Sequence, residues 1–82
     1  MHLSVVTPAG SVFEGEVESL VAPAHDGYLG VLKGHAPLLT KLGAGVLEAK
    51  VPAGSDLKVT VSGGFLQVLS DKISVLAESA KI

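Results

Sequence analysis

The feature that most constrains the fold is an alternation of apolar and polar side chains in short segments. In residues 57–62, Leu57, Val59 and Val61 occupy every second position, and polar side chains stand between them. Successive side chains of a β-strand point to opposite faces, so a period of two indicates a strand with one buried face. Residues 46–51 show the same period. The sequence therefore predicts a sheet with one apolar face.

Turn residues separate further strand-like segments. The additional predicted strands are residues 2–6, 17–22 (ending before Pro23), 63–69 and 73–77. The predicted turns are residues 7–11, 52–56 and 70–72, and the last of these would close a hairpin. No segment keeps the i, i+3, i+4, i+7 spacing of an amphipathic helix over three turns. Together these patterns predict one all-β domain over residues 1–82, an antiparallel sandwich or barrel.

Composition limits the classes of function. The chain has 82 residues and is 48% hydrophobic but only 4% aromatic, so its core must be built from Val, Leu, Ile and Ala. It has no cysteine, which excludes disulfides and thiolate metal sites. All six basic residues are lysines and the net charge is −2, which argues against nucleic acid and anionic membranes as partners. Without a membrane-length apolar run or a signal peptide, we expect a soluble chain that stays where it is made.

Catalytic and metal-binding motifs are not evident in the sequence. His2, His25 and His35 lack any short ligand spacing, so no metal site is predicted. There is no nucleophile elbow and no glycine loop that opens a helix, so neither an enzyme nor a bound cofactor is predicted. The carboxylates at alternate positions 14, 16 and 18 are expected to form the solvated face of a strand.

Residues 30–45, GVLKGHAPLLTKLGAG, combine turn residues with apolar side chains. Four glycines and a proline predict a loop, yet the only charges are Lys33 and Lys41. Most surface loops are polar. The stretch could be a buried loop, a ligand pocket or a docking surface.

Several motifs identify a family resemblance. The chain contains Phe-x-Gly-x-Val at residues 13–17, Gly-x-Leu-Gly-Val-x-x-Gly-His-Ala-Pro-Leu at residues 27–38, and Ser-Gly-Gly-Phe followed by Val-Leu-Ala within residues 61–80. In this order and over the whole chain, they resemble the N-terminal domain of the epsilon subunit of the F-type, rotary, proton-translocating ATP synthase. Lys33 replaces a proline common in the family, and Gln67 stands where glutamate is common.

The resemblance implies a sandwich of about ten short strands and a non-catalytic role. In that family, the epsilon subunit lies in the central stalk, where it binds the gamma subunit, contacts the c-ring and couples proton-driven rotation to ATP synthesis. It would lie at the cytoplasmic face of a bacterial inner membrane, or the organellar equivalent, without entering the membrane. Typical bacterial relatives continue into a helical hairpin, whereas this sequence stops at Ile82, so the hairpin's inhibitory and ATP-binding roles are not carried over.

The motif match also assigns two sets of contact residues. Those expected to face gamma are Thr7, His35, Ala36, Pro37, Leu38, Leu39 and Thr40. Those expected to face the c-ring are Asp26, Gly27, Tyr28 and Leu29. Tyr28, Leu38 and Leu39 could instead be ordinary core, with Leu38 the first candidate, and His35 could simply hold its own loop through backbone hydrogen bonds.

A second interpretation is a stand-alone β-sandwich module for a small ligand or peptide that shares only the scaffold. Such a module should have a concave pocket with convergent polar groups, whereas a stalk subunit should have a flat apolar patch around His35.

Overall fold

The computed structural model describes residues 1–52, 54 and 56–82, and every described element is a strand. The strands are β1 (His2–Thr7), β2 (Gly10–Glu16), β3 (Ser19–Ala24), β4 (Gly27–Leu32), β5 (Leu38–Lys41), β6 (Gly45–Lys50), β7 (Asp56–Leu69) and β8 (Lys72–Lys81). The all-β prediction is confirmed.

The strands form one hydrogen-bonded sheet whose two halves enclose a common core. The strand order is β2-β1-β8-β7-β6-β3-β4, and β5 also pairs with β7. The first half of β7 pairs with β6, whereas its second half pairs with β5. The strands β7 and β8 therefore belong to both layers of a β-sandwich. The neighbours are antiparallel except β1 and β8, which run parallel.

The expected count of about ten strands, which the resemblance implied, is wrong, because the described residues form eight. Residues 57–62 and 63–69 were expected to be two strands, but they form the single strand β7, which continues through Gly63 and Gly64. Residues 30–45 are only partly a loop, since they contain the end of β4 and all of β5. The hairpin turn is confirmed at Ser70 and Asp71. The predicted turn at residues 52–56 includes positions 53 and 55, which lie outside the described residues.

The strand expected to end before Pro23 continues to Ala24. The Pro23 carbonyl accepts a hydrogen bond from Gly43 N at 2.8 Å. In a strand the nitrogen and carbonyl of one residue point to the same side, so the Pro23 nitrogen faces the Gly43 side rather than β4. The missing N–H therefore removes no hydrogen bond from the β3–β4 ladder, and the proline is tolerated.

The core is aliphatic, as the composition predicts. The side chains that are at most 2% exposed include Leu3, Leu20, Leu47, Leu66 and Ile73, contributed by strands of both layers. Along these strands the buried residues alternate with half-buried or exposed ones, except that Ala22 and Pro23 of β3 are both buried. Full burial of each such side chain contributes about 1.5–3 kcal/mol, so this alternation fixes which face of every strand points inward.

Two glycines allow β7 to bend between the layers. Gly63 and Gly64 have φ values of 67° and 113°. A Cβ at Gly64 would overlap the backbone carbonyl oxygen of Leu76 on β8, and a Cβ at Gly63 would meet the Glu78 side chain. Only the absence of a side chain lets β7 and β8 stay in contact through the bend.

We expect Gly64→Ala to lower the free energy of unfolding by about 3 kcal/mol or more, because it combines left-handed backbone strain with overlap against immobile backbone. Urea denaturation followed by circular dichroism measures this. Gly30→Ala is the matched control, because a Cβ there would meet nothing within 4 Å and its φ is not positive. Equal stabilities of the two variants would contradict this account of the bend.

Candidate docking surfaces

The tip of the β3–β4 hairpin carries the residues expected to face the c-ring. His25 and Asp26 form its two-residue turn, and Ala24 pairs with Gly27 at the end of the ladder. Gly27 has φ 129°, which glycine adopts without strain. Asp26, Gly27 and Tyr28 are exposed, so this tip is available for contact.

Tyr28 is a surface residue rather than part of the core. Its side chain is 62% exposed. Its hydroxyl accepts a hydrogen bond from Val46 N at 3.3 Å. The ring lies beside Pro23 and over Gly45, where a Cβ would collide with the hydroxyl. The neighbouring strands therefore hold the ring in one place while leaving most of it open to a partner.

The structure brings the two predicted contact sets together. A shallow depression of about 280 Å³ is lined by Asp26, Gly27, Tyr28 and Leu29 from the hairpin and by Leu38 and Thr40 from β5. The first four were expected to face the c-ring, and the last two to face gamma. The sequence separates them by about ten positions, so only the fold makes the two surfaces continuous.

The turn after β4 is held by its own backbone and by His35. His35 N donates to Leu32 O at 3.0 Å, and the imidazole Nδ1 lies 2.7 Å from Ala36 O. Because the carbonyl oxygen can only accept, Nδ1 is the donor. The ring is half-buried, whereas Ala36 and Pro37 are exposed. His35 thus makes the hydrogen bond to loop backbone that was one of its two expected roles.

Adjacent leucines on β5 point in opposite directions. Leu38 is half-buried and packs against the core, whereas Leu39 is 66% exposed. The alternation of a strand explains the difference. Leu38 contributes to the core, as the alternative interpretation of this residue expected, and Leu39 remains available on the surface.

Leu39 belongs to an apolar outer face formed by β5, β7, β8 and β1. Leu39 pairs with Gln67 of β7, and the next outward residue along β7 is Phe65, which pairs with Leu76 of β8. Phe65 is 49% exposed and Leu76 is 56% exposed. Sequence reasoning missed both residues, as well as the exposed Leu69. The signal was present, because the large apolar side chains Phe65 and Leu69 flank the buried pair Leu66 and Val68, at the outward positions of the strand alternation.

Thr7 lies at the far end of this face. Its hydroxyl donates to Gly10 O at 3.2 Å and accepts from Ala9 N at 3.2 Å, so it braces the β1–β2 turn. Thr7 also lines a second groove together with Phe65 and Leu76. The outer face therefore connects Thr7 with Leu39, two residues that are far apart in the sequence.

The polar groups of the described residues are at the surface. His2 Nε2 lies 3.1 Å from Glu14 Oε2, and Nδ1 lies 3.8 Å from Glu16 Oε1, on the outer side of β1 and β2. Within the described part of the chain, no polar or charged side chain is buried, and no three His, Asp or Glu residues are grouped closely enough to hold a metal ion. The part of the chain that the structure describes contains no helix long and apolar enough to cross a bilayer.

The relationship of this chain to known proteins is shown by its match to the sequence model of a protein family. The model of the beta-sandwich domain of the ATP synthase delta/epsilon chain matches residues 1–82. The chain belongs to this family. It is 46% identical over 81 residues to the ATP synthase epsilon chain of Priestia megaterium, a match that covers 99% of this chain and 60% of that protein. It is also 46% identical over 81 residues to ATP synthase epsilon chain 1 of Thiobacillus denitrificans, covering 98% and 57% respectively. The chain thus spans less than two thirds of these relatives.

Solved structures agree with this family assignment. A chain in the Euglena gracilis mitochondrial ATP synthase structure of OSCP, F1 and c-ring matches with a TM-score of 0.88 and 25% identity, covering 96% of this chain and 51% of that chain. A chain in the Tetrahymena thermophila mitochondrial ATP synthase central stalk and c-ring matches with a TM-score of 0.80 at 17% identity, covering 99% and 65%. The second likeness shows the fold alone.

We expect the neutral imidazole of His35 to carry its proton on Nδ1, because that nitrogen donates to Ala36 O. Long-range ¹H–¹⁵N NMR correlations distinguish the two ring nitrogens. His25 is the internal control, since it is exposed and its ring makes no hydrogen bond within the described residues. His25 should show a mixture of tautomers, and the same mixture at His35 would contradict the observed hydrogen bond.

Proposed function

We propose that this chain acts as a non-catalytic part of the ATP synthase central stalk, binding gamma and the c-ring and transmitting proton-driven rotation to ATP synthesis. It would work beside the energy-coupling membrane, at the cytoplasmic face of a bacterial inner membrane or the organellar equivalent. The family assignment over the whole chain supports this proposal. So do the relatives, which are ATP synthase epsilon chains.

The observation that carries the gamma part of the proposal is the apolar outer face containing Leu39, Phe65 and Leu76. All three side chains are about half exposed or more and stand on hydrogen-bonded strands rather than on a loop. A contiguous exposed apolar surface on a small domain usually marks an interface. The strands fix the side chains in place, so association with gamma would order few additional groups.

The dimensions of the domain explain why a sheet face and a turn would be used together. Its principal extents are 25 × 24 × 19 Å. One face of that size offers about 600 Å², and a stable interface buries about 1,200 Å² or more over both partners. A contact with gamma would therefore use nearly the whole outer face. The turn containing His35 would extend the contact beyond the edge of β5.

The c-ring part of the proposal is supported by the β3–β4 hairpin tip. Asp26 and Tyr28 project from a tight turn, and Tyr28 combines an exposed ring with a hydroxyl. Such a side chain suits contact with a polar loop, because it offers apolar area and a hydrogen-bonding group at low entropic cost. Since the depression beside it is also lined by Leu38 and Thr40, both interfaces would share one rigid scaffold.

A stand-alone ligand module is less well supported. Specific small-molecule sites usually combine an enclosed apolar cavity with convergent polar groups. Among the described residues no polar side chain is buried, and both larger depressions lie at the surface of the sheet. These observations favour a protein partner over a small ligand.

We expect Leu39→Asp to weaken binding to purified gamma by about thirtyfold or more, because it places an unpaired charge in an apolar interface. Titration calorimetry with the full chain measures this. Val21→Asp is the control, since Val21 is also an exposed apolar residue but lies on β3 in the other layer, away from the turn that contains His35. His35→Ala should weaken binding without unfolding the domain. Binding to gamma that is unchanged by Leu39→Asp and by His35→Ala would contradict this placement of the interface.

We expect Tyr28→Ala to reduce binding to a purified, detergent-solubilised c-ring by about tenfold, because it removes an exposed aromatic anchor. Co-sedimentation of the chain with the c-ring gives the bound fraction. Leu32→Ala, at the opposite end of β4, is the control and should bind normally. If the two variants bind equally well, the hairpin tip is not the c-ring contact.

A further inference from the structure

A shallow groove of about 390 Å³ crosses the outer face where β1 ends against β8 and β7. Its lining includes Val6, Pro8, Phe65 and Leu76, and it contains a single charged side chain, that of Glu78. Gly64, where β7 passes closest to β8, also lines the groove. The groove is therefore apolar, with one carboxylate at its edge.

We infer that this groove binds a basic side chain, with arginine fitting best, presented by the gamma partner. The inference rests on the proposed function. The aliphatic part of the side chain would lie on Leu76, its guanidinium would stack on the Phe65 ring, and its N–H groups would donate to the Glu78 carboxylate. Arginine suits all three contacts, because its guanidinium is planar, permanently charged and able to bind a carboxylate through two hydrogen bonds.

The need for a cation follows from desolvation of Glu78. Within the described residues Glu78 takes part in no ion pair, and its side chain is exposed to water. A partner that covers Phe65 and Leu76 would also remove water from the neighbouring carboxylate. Burial of an unpaired carboxylate is costly, so a tight interface at this place must supply a positive group.

Lys41 and Glu78 make the two ends of this face different in charge. Lys41 is the register partner of Phe65 on the side opposite Leu76, and its side chain shares the outer face with both. The Lys41 ammonium disfavours a second basic group there, whereas Glu78 attracts one at the other end. The partner segment would therefore cross the face with its basic residue at β8 and a neutral or acidic residue at β5.

The test compares binding of purified gamma to the wild-type chain, Glu78→Gln, Glu78→Lys and Glu18→Lys. Calorimetric titrations are made at low and at high salt. We expect Glu78→Gln to weaken binding by about tenfold and Glu78→Lys by more, because loss of a charge-assisted hydrogen bond leaves the partner's cation unpaired. The salt dependence of binding should also become smaller in Glu78→Gln. Glu18→Lys makes the same charge change at an exposed site between β2 and β3 and should bind like wild type.

The possible failures are distinguishable. If the wild-type chain does not bind gamma, the proposed function and this inference both fail. If the wild-type chain binds and Leu39→Asp weakens binding, but Glu78→Gln and Glu78→Lys do not, the inference alone is overturned. Sedimentation of the free chain tests whether a second copy occupies the groove. Self-association that is lost in Glu78→Lys, together with unchanged gamma binding, would also overturn it.

Discussion

The structure depends on the close approach of β7 and β8 at Gly64. At this point the backbone of one strand occupies the space that a side chain would need in the other, and hydrogen bonding continues from one layer to the next. The connection after β5 reinforces the bend, since Leu42 N donates to Gly64 O at 2.9 Å. Because the hairpin belongs to both layers, the sandwich is one continuous sheet, and a small aliphatic core is enough to hold it closed.

This construction makes the surface of the domain rigid. The side chains proposed to contact partners stand on paired strands or on turns fixed by backbone hydrogen bonds, as at His35 and Tyr28. The proposed transmission of rotation needs a component that does not deform under load, and a sheet whose inward side chains are buried meets that requirement. The outward positions of the same strands are free to carry apolar contact area, because burial of their inward neighbours already fixes the register.

Much of the fold could be predicted from local pattern. The alternation at residues 46–51 and 57–62, the aliphatic composition of the core and the turn at Ser70 were all readable, because each depends on near neighbours. The division of residues 57–69 into two strands was wrong at Gly63 and Gly64, because a glycine pair indicates a break unless the partner strand is known. The continuation of β3 through Pro23 also escaped prediction, because the side to which the proline nitrogen points depends on Gly43, twenty positions away.

The sequence by itself determined the all-β class, the aliphatic core and the resemblance to the family, because period-two patterning and motif order are properties of the chain. Only the tertiary structure decided which side chains share a surface. It placed Leu39, Phe65 and Leu76 on one outer face, joined the hairpin tip to β5, and set Glu78 at the edge of an apolar groove. The physical reason is that pairing between distant strands, not distance along the chain, determines which outward positions become neighbours.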